Sequence, residues 1–356
     1  MNIIFRVDSS IQIGSGHVMR CLTLANEIRK KASVKFICRV RKGHLIKKIE
    51  AEGFEVLKLS GEAIRYDINE FSPVDWLGVS QEQDSEECKN ILKKNQPDWL
   101  IVDNYGIDII WHKRAQKFSK KLLVIDDLAN RHYSCDLLLD QNFYQDKNIR
   151  YKGLVQNNCK LLLGPKYALL RKEFLKRSHD IDNKCINRIL VYFGGSDIKN
   201  NTLKVLRGIQ SSKHENLFIN VIIGPDCPHR NDILQYCLYK KNIECFNFVN
   251  NMAEIMNNSD LYIGSAGTTT WERCCMGLPS IVIGIAENQI KPMKAMELAG
   301  MTFFLGSEEN VNSSSISILL DKILENPSVL KKMQKKNLEL VDGYGASRCV
   351  SQMLIN

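Results

Sequence analysis

Short apolar runs alternate with amphipathic segments along almost the whole chain, and this alternation constrains the fold more than any other feature. Runs near 3–7, 35–40, 54–59, 99–102, 121–125 and 137–139 are too short for buried helices and rich in Val, Ile, Leu and Phe, so they predict strands. Helical patterns lie among them at 17–31, 44–51, 84–95 and 108–119. The first carries Val18, Cys21, Leu22, Ala25 and Ile28 on one stripe. Such a succession argues βαβ units and a mostly parallel sheet. The rhythm falters from about 143 to 185, a polar stretch with the charge run Arg171-Lys172-Glu173-Phe174-Leu175-Lys176-Arg177. It then restarts, with strands expected at 188–193, 218–223, 243–246, 261–263, 280–285 and 302–305. Helices are expected at 199–210, 232–241, 252–259, 268–276 and 289–299, and a helical tail spans 313–355, broken around Gly343-Tyr344-Gly345. The sequence therefore predicts an α/β protein of two Rossmann-like domains facing across a cleft. The expected spans are 1–180, 181–330 and a tail, 331–356, that crosses back to the first domain. Open α/β sheets bind ligands beyond the carboxyl ends of their strands, so the turns that follow strands are where chemistry is sought.

Composition narrows the classes. The chain has 356 residues, 44% hydrophobic and 25% charged, which fits a globular protein and excludes disorder, collagen and coiled coil. No run approaches the ~18 apolar residues of a membrane span, and Asn2–Asp8 reads as a strand rather than a leader. Twelve cysteines without a CxxC predict reduced, mostly buried thiols rather than a zinc site. The net charge of +9 comes from paired lysines such as Lys47-Lys48 and Lys335-Lys336, with no basic tract interleaved with stacking aromatics. That pattern reads as solvated helix faces and not as a nucleic-acid groove. The expectation is a cytoplasmic monomer with a small-molecule partner, no nucleic acid and no integral membrane contact.

Four turns carry the chemistry. Gly14-Ser15-Gly16-His17 follows the first strand and opens the first helix. Glycines there admit close approach of a ligand, and helix N–H groups favour anions. A dinucleotide fingerprint would need a third glycine and an acid ending the next strand; here Arg39 and Arg41 stand instead. The positive end of a helix disfavours an imidazolium, and a neutral imidazole can take a proton from a nucleophile. His17 is thus a candidate general base, the alternative being a capping or half-buried histidine. Gly264-Ser265-Ala266-Gly267-Thr268-Thr269-Thr270-Trp271-Glu272 opens a second-domain helix. Its small residues suit a pyrophosphate cradle, with Ser265, Gly267, Thr268 and Thr269 as contacts. Glu272, one turn in, can accept both hydroxyls of a ribose. Gly194-Gly195-Ser196-Asp197 and Ala286-Glu287-Asn288-Gln289 follow two further strands; Gly195, Ser196, Asn288 and Gln289 are candidate contacts, amides being suited to sugar hydroxyl and acetamido groups. Asp103-Asn104-Tyr105 and Asp126-Asp127 also follow strands, the latter read as turn or cap residues. Asp180-Ile181-Asp182 is a DxD in the irregular stretch and is discounted. Neither a Walker A sequence nor a G-x-S-x-G elbow is present.

The segment from Arg6 through Gly14-Ser15-Gly16-His17 to Ala25 closely resembles the opening of one family, the UDP-2,4-diacetamido-2,4,6-trideoxy-β-L-altropyranose hydrolases of pseudaminic acid biosynthesis. Further matches are Asp136–Asn142, Gly164-Pro165-Lys166-Tyr167-Ala168-Leu169-Leu170-Arg171, Gly194–Asp197, Gly267–Pro279 and Ala286–Gln289, so the resemblance spans roughly residues 3–300. It implies the GT-B architecture, shared with the N-acetylglucosaminyltransferase of peptidoglycan synthesis. It also implies hydrolysis of the anomeric C1–O bond of a UDP-sugar by water, with inversion and without a metal or other cofactor. His17 falls on the family's base; the turn from Gly264 and Glu272 fall on its UDP cradle. Gly14 and Gly16 leave room for substrate, and sugar contacts are implied for Asn288 and Tyr105.

Two other readings stay open. A GT-B glycosyltransferase would use His17 on a sugar hydroxyl instead of water and would need an acceptor groove, for which the helix at 44–51 with Lys47-Lys48 is the candidate. A non-catalytic nucleotide-sugar binding protein would have no use for His17.

Overall fold

The structure, a computed structural model, describes residues 1–61, 73–175, 186–214, 217–247, 249 and 251–355. It divides into two compact units, one of Met1–Leu170 with Tyr344–Asn356, the other of Arg171–Gly343.

The first unit is built on seven strands: β1 (Asn2–Val7), β2 (Ser33–Arg39), β3 (Glu55–Leu59), β4 (Trp99–Asp103), β5 (Lys121–Ile125), β6 (Leu137–Asp140) and β7 (Lys160–Leu163). They pair in parallel in the order β3-β2-β1-β4-β5-β6-β7. The central strands are apolar throughout because both faces of the sheet are covered. On one face, α1 (Gly16–Ile28) and α2 (Ile46–Ala51) pack over Phe5, Phe36, Ile101 and Leu123. On the other, α3 (Gln81–Asn95) and α4 (Ile109–Ala115) pack over Ile4, Leu100, Leu122 and Leu138. All five residues of the expected α1 stripe are buried.

The second unit repeats the plan. Its strands β8 (Arg188–Tyr192), β9 (Phe218–Ile223), β10 (Ile243–Asn247), β11 (Leu261–Ser265), β12 (Ser280–Gly284) and β13 (Phe303–Ser307) form a parallel sheet in the order β10-β9-β8-β11-β12-β13. Its helices are α5 (Asn201–Gln210), α6 (Arg230–Cys237), α7 (Met252–Asn257), α8 (Thr269–Met276), α9 (Glu287–Leu298), α10 (Ser313–Glu325) and α11 (Ser328–Leu340). In each sheet the winding reverses once, between β1 and β4 and between β8 and β11. At such a switch point the loops on either side part and leave room for a ligand.

Three expectations need correction. β7 was not foreseen: the stretch taken as irregular contains a four-residue edge strand whose first residue, Lys160, is exposed. The division expected at 180/181, like the discounted DxD at 180–182, lies outside the described residues; the units part at Leu170 and Arg171. Phe174 lies on the second unit's side of that division, fully buried, with its carbonyl accepting from the Cys275 thiol at 3.4 Å. The tail is not one body from 331. α11 packs on α8 and stays with the second unit, and only α12 (Gly345–Ile355) joins the first. There Ala346, Cys349, Val350 and Met353 complete the α1-side core. Gly345 permits the approach, since a Cβ there would lie 2.2 Å from the Ala168 carbonyl oxygen.

Candidate active site

In the first unit the loops after β1 and β4 meet at the switch point. Gly14 turns the first loop with φ +78°, its N–H donating to the Ser10 carbonyl at 2.9 Å, and Gly16 begins α1. The second residue of that helix is His17, 8% exposed. Its Nδ1 lies 2.6 Å from Oδ1 of Asp103, the last residue of β4. Arg20, one turn further along α1, donates from Nε to Oδ2 and from its NH2 group to Oδ1 of the same carboxylate, each at 2.6 Å. Burial alone would push the Asp103 carboxyl up. The charges and hydrogen bonds of Arg20 and His17 outweigh it and hold Asp103 well below the usual carboxylate range. An ionised Asp103 only accepts, so Nδ1 carries a proton and donates it. The Arg20 group 3.0 Å from Nδ1 is already engaged at shorter range with Asp103. Nε2 is then the basic nitrogen, and no hydrogen bond engages it among the described residues. Two aromatic rings, Trp76 and Tyr105, stand edge-on to the imidazole, both 4.8 Å away centre to centre.

The loops are braced from behind. Asp8 accepts from the Arg39 backbone N–H at 2.7 Å and the Asn104 side chain at 3.0 Å, tying the ends of β1, β2 and β4 together. Arg6 and Arg39 share Asp84, which also accepts from the Trp111 indole at 2.9 Å. Arg39, which argued against a dinucleotide fingerprint, is thus a buried member of this network. Further along the same sheet edge, Asp127 accepts from the Tyr105 hydroxyl and from the Asn142 amide. Burial and the Asp127 charge push the Asp140 carboxyl up to about 7.

The second unit offers backbone where the first offers side chains. Gly194-Gly195-Ser196-Asp197 follows β8, with Asp197 accepting from the N–H groups of Asn201 and Thr202 to start α5. Across the switch point, α8 starts at Thr269 with Thr268 at its N-cap and no side chain capping its N–H groups. The Thr270 and Trp271 N–H groups donate within the turn, to the Gly267 and Thr268 carbonyls at 3.0 and 3.3 Å, and the positive end of the helix dipole lies there. Gly267 and Gly195 have no left-handed φ, and a Cβ on either would meet no heavy atom within 4 Å among the described residues. The fold itself therefore does not require glycine at these two positions. Glu272 sits in the first turn of α8, its side chain 15% exposed and Oε1 lying 3.5 Å from the Arg171 guanidinium. Burial pushes its carboxyl up to about 7, Arg171 pulling the other way and Glu173 adding to the rise.

The glycosyltransferase family 28 C-terminal domain matches residues 189–345. An uncharacterised protein of Methanocaldococcus jannaschii is 32% identical over 80% of this chain, which spans about half of that protein, 55%. The UDP-2,4-diacetamido-2,4,6-trideoxy-beta-L-altropyranose hydrolase of Campylobacter jejuni is 30% identical over 290 residues, 81% of this chain and 93% of that one. This chain belongs to that hydrolase family. Among solved structures, MurG of Acinetobacter baumannii superposes over 100% of this chain and 99% of its own with a TM-score of 0.70 at 14% identity. The fold is GT-B.

Within this family member the residues singled out from sequence divide between the units. Gly14, Gly16, His17 and Tyr105 gather at the first switch point. Tyr105 is buried, 6% exposed, with its hydroxyl engaged by Asp127 and its ring on His17. Gly195, Ser196, Ser265, Gly267, Thr268, Thr269 and Glu272 gather at the second. Asn288 is exposed in the first turn of α9. Gln289 uses its side-chain carbonyl to accept from the Ile285 N–H at 3.0 Å and so shapes that turn. Asp126 is a turn residue, accepting from the N–H groups of Leu128 and Ala129, whereas Asp127 is not and binds side chains only. Sequence reasoning missed Asp103 and Arg20 as partners of His17, and Trp76 altogether. The spacing of His17 and Arg20, three apart on one helix, was the available signal. Among the described residues no group of three or more His, Cys, Asp or Glu is placed to hold a metal, and no helix is long and apolar enough to cross a membrane.

Proposed function

We propose that the chain is an inverting, metal-independent hydrolase of UDP-2,4-diacetamido-2,4,6-trideoxy-β-L-altropyranose, releasing UDP and the free sugar. Family membership supports an enzyme acting on nucleotide sugars; the arrangement at His17 carries the rest. Its Nδ1 is bound at 2.6 Å to an ionised, buried Asp103, which fixes the tautomer and leaves Nε2 able to take a proton. In the reaction, Nε2 removes a proton from water as the water oxygen bonds to C1. The C1–O bond to the β-phosphate breaks, and its electron pair leaves with UDP. Asp103 then faces an imidazolium and stabilises it. The N–H groups at the start of α8 stabilise the charge on the departing phosphate, so no general acid is required. Glu272 holds the ribose diol, and Asn288 and Gln289 serve the sugar's polar substituents. Inversion follows when water and UDP occupy opposite faces of C1.

The match of residues 189–345 to a glycosyltransferase domain favours a second reading, transfer to a sugar hydroxyl. Incubating the UDP-sugar with enzyme, EDTA and no acceptor separates the two, with NMR of the product. Free sugar of inverted anomeric configuration is the expected result. UDP-sugar left intact until an acceptor is added would establish transfer, and activity lost to EDTA and restored by Mg²⁺ would establish a metal requirement.

A further inference from the structure

The segment ending at Arg171 was singled out in the sequence but has no part in the scheme above. Arg171 is the first residue of the second unit, and its surroundings are built rather than incidental. The short helical turn Lys172–Leu175 that follows it is anchored on α8: Phe174 is fully buried and its carbonyl accepts from Cys275. The Arg171 guanidinium lies over the Phe174 ring, 5.1 Å from its centre. From there it reaches two carboxylates, Glu173 at 2.8 Å and Glu272 at 3.5 Å. One cation is thus divided between two acids, and the better contact goes to the one that is not expected to touch nucleotide.

We propose that Arg171 is a positioning residue of the nucleotide site, holding the Glu272 carboxylate oriented and ionised for a ribose diol, in competition with Glu173. The proposal rests on the reading that Glu272 binds the ribose. A protonated Glu272 would keep only part of its accepting capacity and would bind the diol less well. Its carboxyl is pushed up to about 7 by burial, so at neutral pH its ionisation is in the balance. Among the described residues Arg171 and Glu173 are the charged groups that act on it, and none from α7 or α11, which also pack on α8, is among them. Tyr192 and Tyr262, the titratable neighbours from β8 and β11, have phenols pushed up by burial and remain neutral donors in the same range. Removing Arg171 therefore raises the pH at which Glu272 ionises, and removing the Glu173 charge lowers it.

UDP titrations by calorimetry between pH 5.5 and 8.5 test this, each variant being referred to the parent so that the titration of UDP itself cancels. In Arg171→Gln the midpoint of the affinity profile is expected to rise. A rise of about one unit lowers the ionised fraction at pH 7 from about a half to about a tenth, weakening UDP roughly fivefold there, with affinity recovering at pH 8.5. Arg171→Lys keeps the charge and stays near the parent midpoint. Glu173→Gln moves the midpoint down, a shift that misfolding cannot imitate. Loss by the same factor at every pH in Arg171→Gln, or no shift in either variant, overturns the positioning role. If Glu272→Gln instead binds UDP with the parent's affinity and profile, the reading of Glu272 itself fails, and the Arg171 proposal with it.

Discussion

The two units share a winding order and place their candidate residues at the same point of it, yet they equip that point in opposite ways. In the first, the candidate group is a side chain clamped by other side chains: His17 on Asp103, Asp103 on Arg20, all nearly or fully buried. In the second, the candidate surface is mostly backbone, a helix start without a side-chain cap and glycines with space above them, with Glu272 as the one charged side chain in the turn. A general base must hold one nitrogen in one direction and protonation state, which takes a rigid network. A phosphate is recognised by any array of N–H donors that it can approach closely, which takes absence of bulk. The contrast predicts that substitutions in the first unit act on rate and those in the second on affinity.

The largest expected effect breaks the first network at its centre. His17→Asn should lower kcat by ~10²–10⁴-fold, the usual contribution of a general base, with the UDP dissociation constant changed by no more than a few-fold. A variant with near-parental kcat would remove His17 from the mechanism. If it lost UDP binding while Glu272→Ala kept it, the roles of the two units would be reversed.

Asp103→Asn comes next, with two consequences that can be measured apart. An amide in place of the carboxylate can present its own N–H to Nδ1 and favour the wrong tautomer, costing about 10²-fold or more in kcat. It also takes from buried Arg20 its closer counter-charge and leaves only Asp127, 3.8 Å away; removing one partner of a buried pair costs up to about 3–5 kcal/mol of stability, seen as a lower Tm. The ionic contribution of Asp103 has a definite pH sign. Its folded carboxyl titrates below its unfolded one, so the stability it confers is present above the unfolded value, near 4, and is lost as pH falls further. Asp103→Asn with parental kcat and Tm would show that neither orientation nor pairing matters there.

How much of this was legible in the sequence differs in the same way between the units. The strands and helices followed from local pattern, because a strand buried on both faces must be apolar from end to end, as in Leu100-Ile101-Val102 and Ile281-Val282-Ile283. β7 escaped because four residues at a sheet edge, beginning with an exposed lysine, carry no period. The turn from Gly264 to Glu272 was legible as a unit because its residues are contiguous. The His17–Asp103 pair was not, since its members are 86 residues apart and meet only because β1 and β4 are neighbours across the switch point. Tyr105 follows strand β4 as expected, but its hydroxyl donates to Asp127, on the loop after β5, and no local pattern announces that bond.

In the second unit, Glu272→Ala should raise KM and leave kcat nearly unchanged, because a carboxylate that holds a ribose holds it alike in ground and transition states. Hydrogen bonds to a charged acceptor are worth about 1.5–3 kcal/mol, which corresponds to roughly 10–150-fold in affinity. A fall in kcat with KM unchanged would place Glu272 in the chemical step and blur the division of labour between the units.

The smallest effect gives the sharpest test, because it separates two glycines three residues apart. Gly264 lies within β11, where a Cβ would fall 2.0 Å from the Tyr192 carbonyl oxygen; Gly264→Ala must move backbone. Forcing bulk into a packed position costs about 1–3 kcal/mol, so its Tm should drop whether or not nucleotide is present. Gly267 stands at the head of α8 with ordinary φ and nothing within 4 Å of a Cβ among the described residues. Gly267→Ala should therefore fold as well as the parent, or better by about 0.4–1 kcal/mol, since alanine restricts the unfolded chain. If phosphate approaches that turn, the added methyl group occupies its path, and UDP affinity should fall about tenfold, a loss of about 1.4 kcal/mol. Thermal unfolding with and without UDP reads both numbers from the same samples: an unchanged Tm alone, and a smaller upward shift with ligand. A Gly267→Ala protein stabilised by UDP as strongly as the parent would mean that the nucleotide does not use this turn, and the open space above it would need another occupant.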